Sequence, residues 1–223
     1  MDISKVVIAI DGPAGAGKST VSKMLSHRLG LRYLDTGAMY RCLAYFALKS
    51  GLTNEQGDEA AKLLDTLTIE FGTGEPQPVY VNGNEVTSEI RTPEIGEAAS
   101  ALSQYTPVRQ RMVELQKDLV AHGGVILEGR DVTTVVAPNA TLKVYLTASL
   151  EERAKRRLGE FSAKGVEGTF QDVRTQIQNR DHRDINRDDS PLKVAPDAVI
   201  VESAGHTPEQ VCSMIVEHLE RVI

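Results

Sequence analysis

Two stretches carry the residue types and spacings that chemistry needs. The first, "GPAGAGKST" over residues 12–20, has a glycine, four residues, then Gly-Lys-Ser, running from Gly12 to Ser19. In such a loop the small residues Pro13, Ala14, Gly15, Ala16 and Gly17 let backbone N–H groups turn inward around phosphate oxygens. The helix that Thr20 helps to open adds its positive end. Lys18 can place its charge on the β- and γ-phosphates of a nucleoside triphosphate, and the Ser19 hydroxyl can ligate Mg²⁺. The second stretch, "NRDHRDINRDD" over 179–189, can be a solvated charge run or a set of charges aimed at a ligand. Its spacing suggests a division. Val173 and Ile177 open a helical stripe that steps on through Arg180, Asp184 and Arg187, all within roughly 80°. Asp181, His182, Ile185 and Asn186 are expected to point away from that stripe.

These groups need elements to position them. Apolar, β-branched runs at 5–11, 31–35, 125–131, 141–146 and 197–203 read as buried strands. Helices fit 18–29, 38–50, 107–121, 150–159, 170–187 and 207–222. Val108, Met112, Leu115 and Leu119 keep one apolar face in the third of these, as do Val211, Ile215, Leu219 and Val222 in the last. The alternation predicts an α/β fold, with a mostly parallel five-stranded sheet covered by helices on both faces. Residues 66–92, with a turn signal at Asn82-Gly83, read as a small antiparallel insert. Residues 151–190 read as a helical lid. The expected organisation is one domain, with its core over 1–65, 93–150 and 191–223.

Two strand ends add candidates. "DTGAMYR" (35–41) ends the second strand, where Arg41 can fork onto a phosphate; Tyr40 in the core and Arg41 on the surface is an equal reading. "EGRD" (128–131) puts Arg130 between the acidic Glu128 and Asp131, which suits a second anionic substrate beside the triphosphate. No "NKxD" guanine-reading signature is present, against a GTPase. A net charge of −6 argues against a polyanion-binding surface, hence against a nucleic-acid polymer as partner. Cys42 and Cys212 lack metal-ligand spacing and read as buried free thiols, and the five histidines form no ligand pair. No apolar run is long enough for a signal peptide or a membrane span, so a cytoplasmic protein is expected.

The chain resembles the bacterial cytidylate kinases of the nucleoside monophosphate kinase family, which have a P-loop kinase core. The resemblance is carried by "IDGPAGAGKST", "YLDTGAMYR", "SEIRTPEI", "EAAS", "PVRQRM", "EGRDVTTVV", "EERAKRR", "NRDHRDINRDDSPL" and "APDAVIVES", in that order along nearly the whole chain. It implies transfer of the γ-phosphoryl group of ATP to CMP or dCMP, with Mg²⁺, by a monomer. Carried over by motif, Thr36, Ser100, Arg109 and Asp131 lie around the cytosine. Arg41, Arg130 and Arg187 hold the acceptor phosphate, and Arg180 and Asp184 the sugar. Arg153 and Arg157 are the lid arginines toward ATP; Lys18, Arg130, Arg157 and Arg187 are the expected charge stabilisers of transfer. Three positions depart from the family pattern: Thr36 for Ser, Thr133 for Gly and Asn139 for Asp. The insert is expected either to cover part of the sheet or to move when CMP binds.

Overall fold

A computed structural model describes residues 2–163 and 165–223. The chain divides into two compact units, 1–33 with 120–223, and 34–119.

The first unit is built on a parallel sheet. Its strands are β1 (Val7–Asp11), β2 (Arg32–Asp35), β6 (Val125–Gly129), β7 (Leu142–Thr147) and β8 (Val199–Glu202), in the order β2-β6-β1-β7-β8. β1 is central because its apolar run tolerates burial on both faces; Ile8, Ala9 and Ile10 are fully buried. Register places Val7 opposite Val125 and Asp11 opposite Gly129 on one side, and Asp11 opposite Tyr145 on the other. Parallel pairing requires crossovers. The helices α1 (Lys18–Leu29) and α8 (Pro208–Glu220) pack Val21, Leu25, Val211, Ile215 and Leu219 against Ile8, Ile126, Val144 and Leu146. The apolar face expected of the last helix ends one turn early, since Val222 lies beyond α8 and is exposed.

The expected strand 125–131 stops at Gly129, and Arg130 and Asp131 lie outside the sheet. A turn of π-helix at Val132–Val136 follows, in which the Asp131 carbonyl accepts from Thr134, Val135 and Val136 N–H groups. The buried Asp11 carboxylate caps this turn from the end of β1. It accepts from Val132 N at 2.9 Å, Thr133 N at 2.8 Å and the Thr133 hydroxyl at 2.6 Å. Three donors on one carboxylate give the turn a partner for groups that a strand would have paired.

The lid helices also belong to this unit: α6 (Leu150–Ala163) and α7 (Phe170–Asn186), the latter started by a capping box between Thr169 and Asp172. They share a small apolar cluster of Ala154, Phe161, Val173 and Ile177.

The second unit is mostly helical. It holds α2 (Thr36–Lys49), α3 (Gly57–Leu63), α4 (Pro93–Leu102) and α5 (Thr106–Val120), the last helix running one residue past the unit's end. It also holds an antiparallel sheet of β3 (Ile69–Phe71), β4 (Val79–Val81) and β5 (Asn84–Glu85). The Asn82-Gly83 signal becomes the β4–β5 turn, with both residues at positive φ. The Asn82 side chain also accepts from Thr68 N at 2.8 Å and donates to the Thr66 carbonyl at 3.1 Å. Helices α3 and α4 were not anticipated. α3 is only seven residues, too short for a periodic signal, whereas α4 does begin with a Thr92 cap and Pro93 at its first position.

Candidate active site

The loop between β1 and α1 is shaped by its neighbours. A Cβ on Gly12, at φ 153°, would lie 2.0 Å from the Leu146 carbonyl oxygen, so only glycine lets the chain leave β1 beside β7. Lys18, at the first position of α1, is buried and donates to the carbonyls of Gly12 at 2.7 Å and Pro13 at 2.8 Å. Burial pushes its pKa down to about 7, and the charges of Arg130 and Arg180 act in the same direction against Glu128 and Asp11. A lysine held in that state gains most from an incoming polyanion. Ser19 and Thr20 are exposed on the first turn of α1. Glu128, buried at the end of β6, accepts from the Tyr33 hydroxyl at 2.5 Å.

Four predicted acceptor residues come together beyond β6. Arg130 Nε donates to Asp184 Oδ2 at 2.8 Å. Arg187 reaches Asp131 Oδ1 at 3.6 Å and Asp184 Oδ1 at 3.9 Å. Asp131, Asp184 and Arg187 are all buried. Burial alone would raise the Asp184 pKa, but Arg130, Arg180 and Arg187 outweigh it and hold the carboxyl below the usual range. Arg187 is not part of the helical stripe, because it is the C-cap of α7 with extended backbone. It turns inward as the chain folds back, and its guanidinium donates to the Ser190 carbonyl.

The stripe on α7 needs a second correction. His182, Ile185 and Asn186 do face water, but Asp181 is only 8% exposed and is bonded to the phosphate loop and to Arg153. At about 100° per residue it sits roughly 40° off the edge of the stripe, a boundary that only the packing of α6 decides.

The lid arginines divide. Arg153 is buried and donates to the carbonyls of Ala148 at 3.0 Å and Ala14 at 2.9 Å. Arg157 is half exposed, pairs with Glu160 at 2.8 Å and lies over the Phe161 ring at 4.8 Å. Arg156, not singled out from sequence, donates to the Ala16 carbonyl at 3.3 Å and to the Ser203 hydroxyl and carbonyl at 2.9 and 2.8 Å. Its only sequence signal was membership of "EERAKRR".

In the 34–119 unit, Thr36 opens α2 and is buried, and Asp35 caps that helix by accepting from Ala38 N at 2.9 Å. The other Asp35 oxygen holds two arginines, Arg41 at 2.8 Å and Arg91 at 3.2 Å. Burial opposes ionisation of Asp35, and the two guanidiniums overcome it, so its pKa is lowered. Ser100 is buried on α4, and among the described residues its hydroxyl has no hydrogen-bond partner. Arg109 on α5 is 1% exposed, stacks over the Tyr40 ring at 5.8 Å and reaches the Ser103 carbonyl at 3.4 Å. A buried arginine and an unpaired buried hydroxyl are costly in a purely structural role, and both suit contact with a polar ligand.

A parallel α/β sheet with a phosphate loop, a helical lid and buried arginines defines a kinase of the phosphate-loop class. The solved shikimate kinase of Acinetobacter baumannii is similar in fold, with a TM-score of 0.50 at 16% identity over 98% of this chain and 94% of that one. A sequence model of the cytidylate kinase family matches residues 8–221, and the chain belongs to that family. The cytidylate kinase of Listeria welshimeri is 42% identical over 98% of both chains. That of Enterococcus faecalis is 44% identical over 96% of this chain and 95% of its own.

Proposed function

We propose that the chain transfers the γ-phosphoryl group of ATP to CMP or dCMP, giving ADP and CDP or dCDP. Family membership supports the reaction. The observation that carries the acceptor assignment is the cluster of half-buried Arg130 with buried Asp131, Asp184 and Arg187, whose neighbour Arg180 already acts on Lys18. Two arginines held by two carboxylates form a set of cations that a phosphate and a sugar can share.

In this reading, residues 12–20 cradle the triphosphate and Lys18 moves from the loop carbonyls to its β- and γ-oxygens. Among the described residues no group of three His, Cys, Asp or Glu side chains is arranged for a metal. Exposed Ser19 is the protein's donor to Mg²⁺, an ion that usually enters with substrate phosphates and keeps several waters. Bound there, Mg²⁺ would supply charge neutralisation across the phosphates. Arg153 serves ATP by holding the loop, while Arg157 can reach the nucleotide only by leaving Glu160 and Phe161.

On the acceptor side, Arg41, Arg130 and Arg187 take the α-phosphate, and Asp184 with Arg180 takes the sugar hydroxyls. Thr36, Ser100, Arg109 and Asp131 read the base. Cytosine presents an amine donor beside acceptors, so a carboxylate facing the amine and an arginine facing the carbonyl satisfy it. Uracil would turn a carbonyl toward the carboxylate, which favours CMP over UMP. The acceptor is already an anion, so transfer needs positioning and charge stabilisation rather than a strong general base. An acceptor panel tests this. With ATP fixed, ADP release should be fastest with CMP and dCMP, and faster turnover of UMP or AMP would overturn the assignment.

A further inference from the structure

Asp181 does work that neither the charge stripe nor the acceptor cluster accounts for. Its Oδ1 accepts from the Ala14 N–H at 3.0 Å, and its Oδ2 accepts from Arg153 Nη1. The same guanidinium takes the Ala14 carbonyl at 2.9 Å and the Ala148 carbonyl at 3.0 Å. Both backbone polar groups of one phosphate-loop residue are therefore held by the lid, the N–H by α7 and the C=O by α6. Apolar packing follows the same route, since Ala14 is buried with Ala154, Phe161, Val173 and Ile177. A Cβ on Gly15 would stand 3.2 Å from both the Cβ and the carbonyl oxygen of Arg153, which leaves α6 seated directly on the loop.

A carboxylate close to a triphosphate site repels its ligand unless neutralised. Arg153 neutralises this one, with its Nε and Nη1 donors directed to Ala148, Ala14 and Asp181. An Asp–Arg pair placed here gives the loop geometry, not attraction for ATP. We propose that Asp181 is a positioning residue for the donor nucleotide: with Arg153 it clasps Ala14 and fixes the shape of the phosphate loop without touching substrate. The inference rests on the reading of the chain as an ATP-dependent kinase and adds a residue to it.

The test compares wild type, Asp181→Asn, Arg153→Met and the double variant, varying ATP and CMP in turn and recording Tm for each. Asp181→Asn keeps the size and one acceptor oxygen but loses the charge that holds Arg153. The expected result is a KM for ATP raised about tenfold, the size of one lost charge-assisted hydrogen bond. KM for CMP should stay within about twofold, since Asp181 makes its hydrogen bonds to Ala14 and Arg153 and reaches the acceptor residue Arg130 only through its charge. Arg153→Met should reproduce this, and the double variant should be no worse than either single one, because each breaks the same clasp. A lower KM for ATP in Asp181→Asn would show that the carboxylate restrains an arginine from the phosphates, and would overturn the proposal. Equal rises for both substrates, or additive effects in the double variant, would overturn it too. Should Asp181→Asn not fold, Arg153→Lys decides: it keeps the charge but cannot span Ala14, Ala148 and Asp181, so a wild-type KM for ATP in that variant sinks the clasp. A wild type with no transfer at all would overturn the kinase reading, and this inference with it; an active wild type isolates the clasp.

Discussion

Lys18 and Asp11 are two buried ionisable groups on either side of the phosphate loop, and their titrations give the site measurable signatures. Lys18, pushed down to about 7, is largely neutral at pH 8 and is recharged by a bound triphosphate. ATP binding at pH 8 should therefore take up close to one proton, and little at pH 6. Calorimetry in two buffers of different ionisation enthalpy measures this, and Lys18→Met should abolish the uptake. Asp11 is raised to about 6 from 3.8, chiefly by burial, while the Thr133 and Val132 hydrogen bonds pull against that rise. Because the folded state holds this proton more tightly than the unfolded one, Asp11's contribution is fully present below pH 4 and is lost as pH rises through 6. Urea unfolding of wild type and Asp11→Asn should show the wild-type advantage shrinking between pH 4 and 6. A pH-independent difference would contradict the assignment. The hydroxyl of Thr133 is one of the three donors to Asp11.

At the scale of elements, periodicity revealed what repeats and missed what packing decides. Strong apolar runs located all five parallel strands and the long helices, even though the edge strand β8 leaves Ile200 exposed. "VTTVV" gave no hint of a π-helical turn, since β-branched residues read as strand; the turn forms because Asp11, more than a hundred residues away in sequence, caps it. Helical spacing places Arg187 inward, yet it is inward because the helix ends there. Helical spacing points Asp181 to water because it lies just off the stripe, and only its contacts with α6 and the phosphate loop turn it inward. The insert contributes a residue of its own. Arg91, at its far end, shares Asp35 with Arg41. Removing Arg91 leaves Arg41 as the sole cation on that carboxylate oxygen and draws it away from an acceptor phosphate. Arg91→Met should raise KM for CMP about two- to fivefold, the scale of a partly exposed ion pair, with KM for ATP unchanged. No change for CMP would leave the insert a cover and nothing more.

For the whole molecule, the motifs that carry the family resemblance run from residue 10 to 203, and the family model matches 8–221, which is why function is legible in the sequence. The division of the chain at 33–34 and 119–120 was not, since no composition change marks it and the break falls inside β2 and just before the end of α5. Thr36, Ser100, Arg109 and Asp131 are the residues proposed to read the base. The central claim is that these residues select cytosine, with Asp131 accepting from the exocyclic amine. The most direct test is the ratio of kcat/KM for CMP to that for UMP, measured in wild type and in Asp131→Asn. A wild-type preference for CMP that collapses on the order of 10²-fold or more in the variant, with KM for ATP unchanged, is predicted. A ratio that survives the substitution, or a loss shared equally by ATP, would contradict the claim.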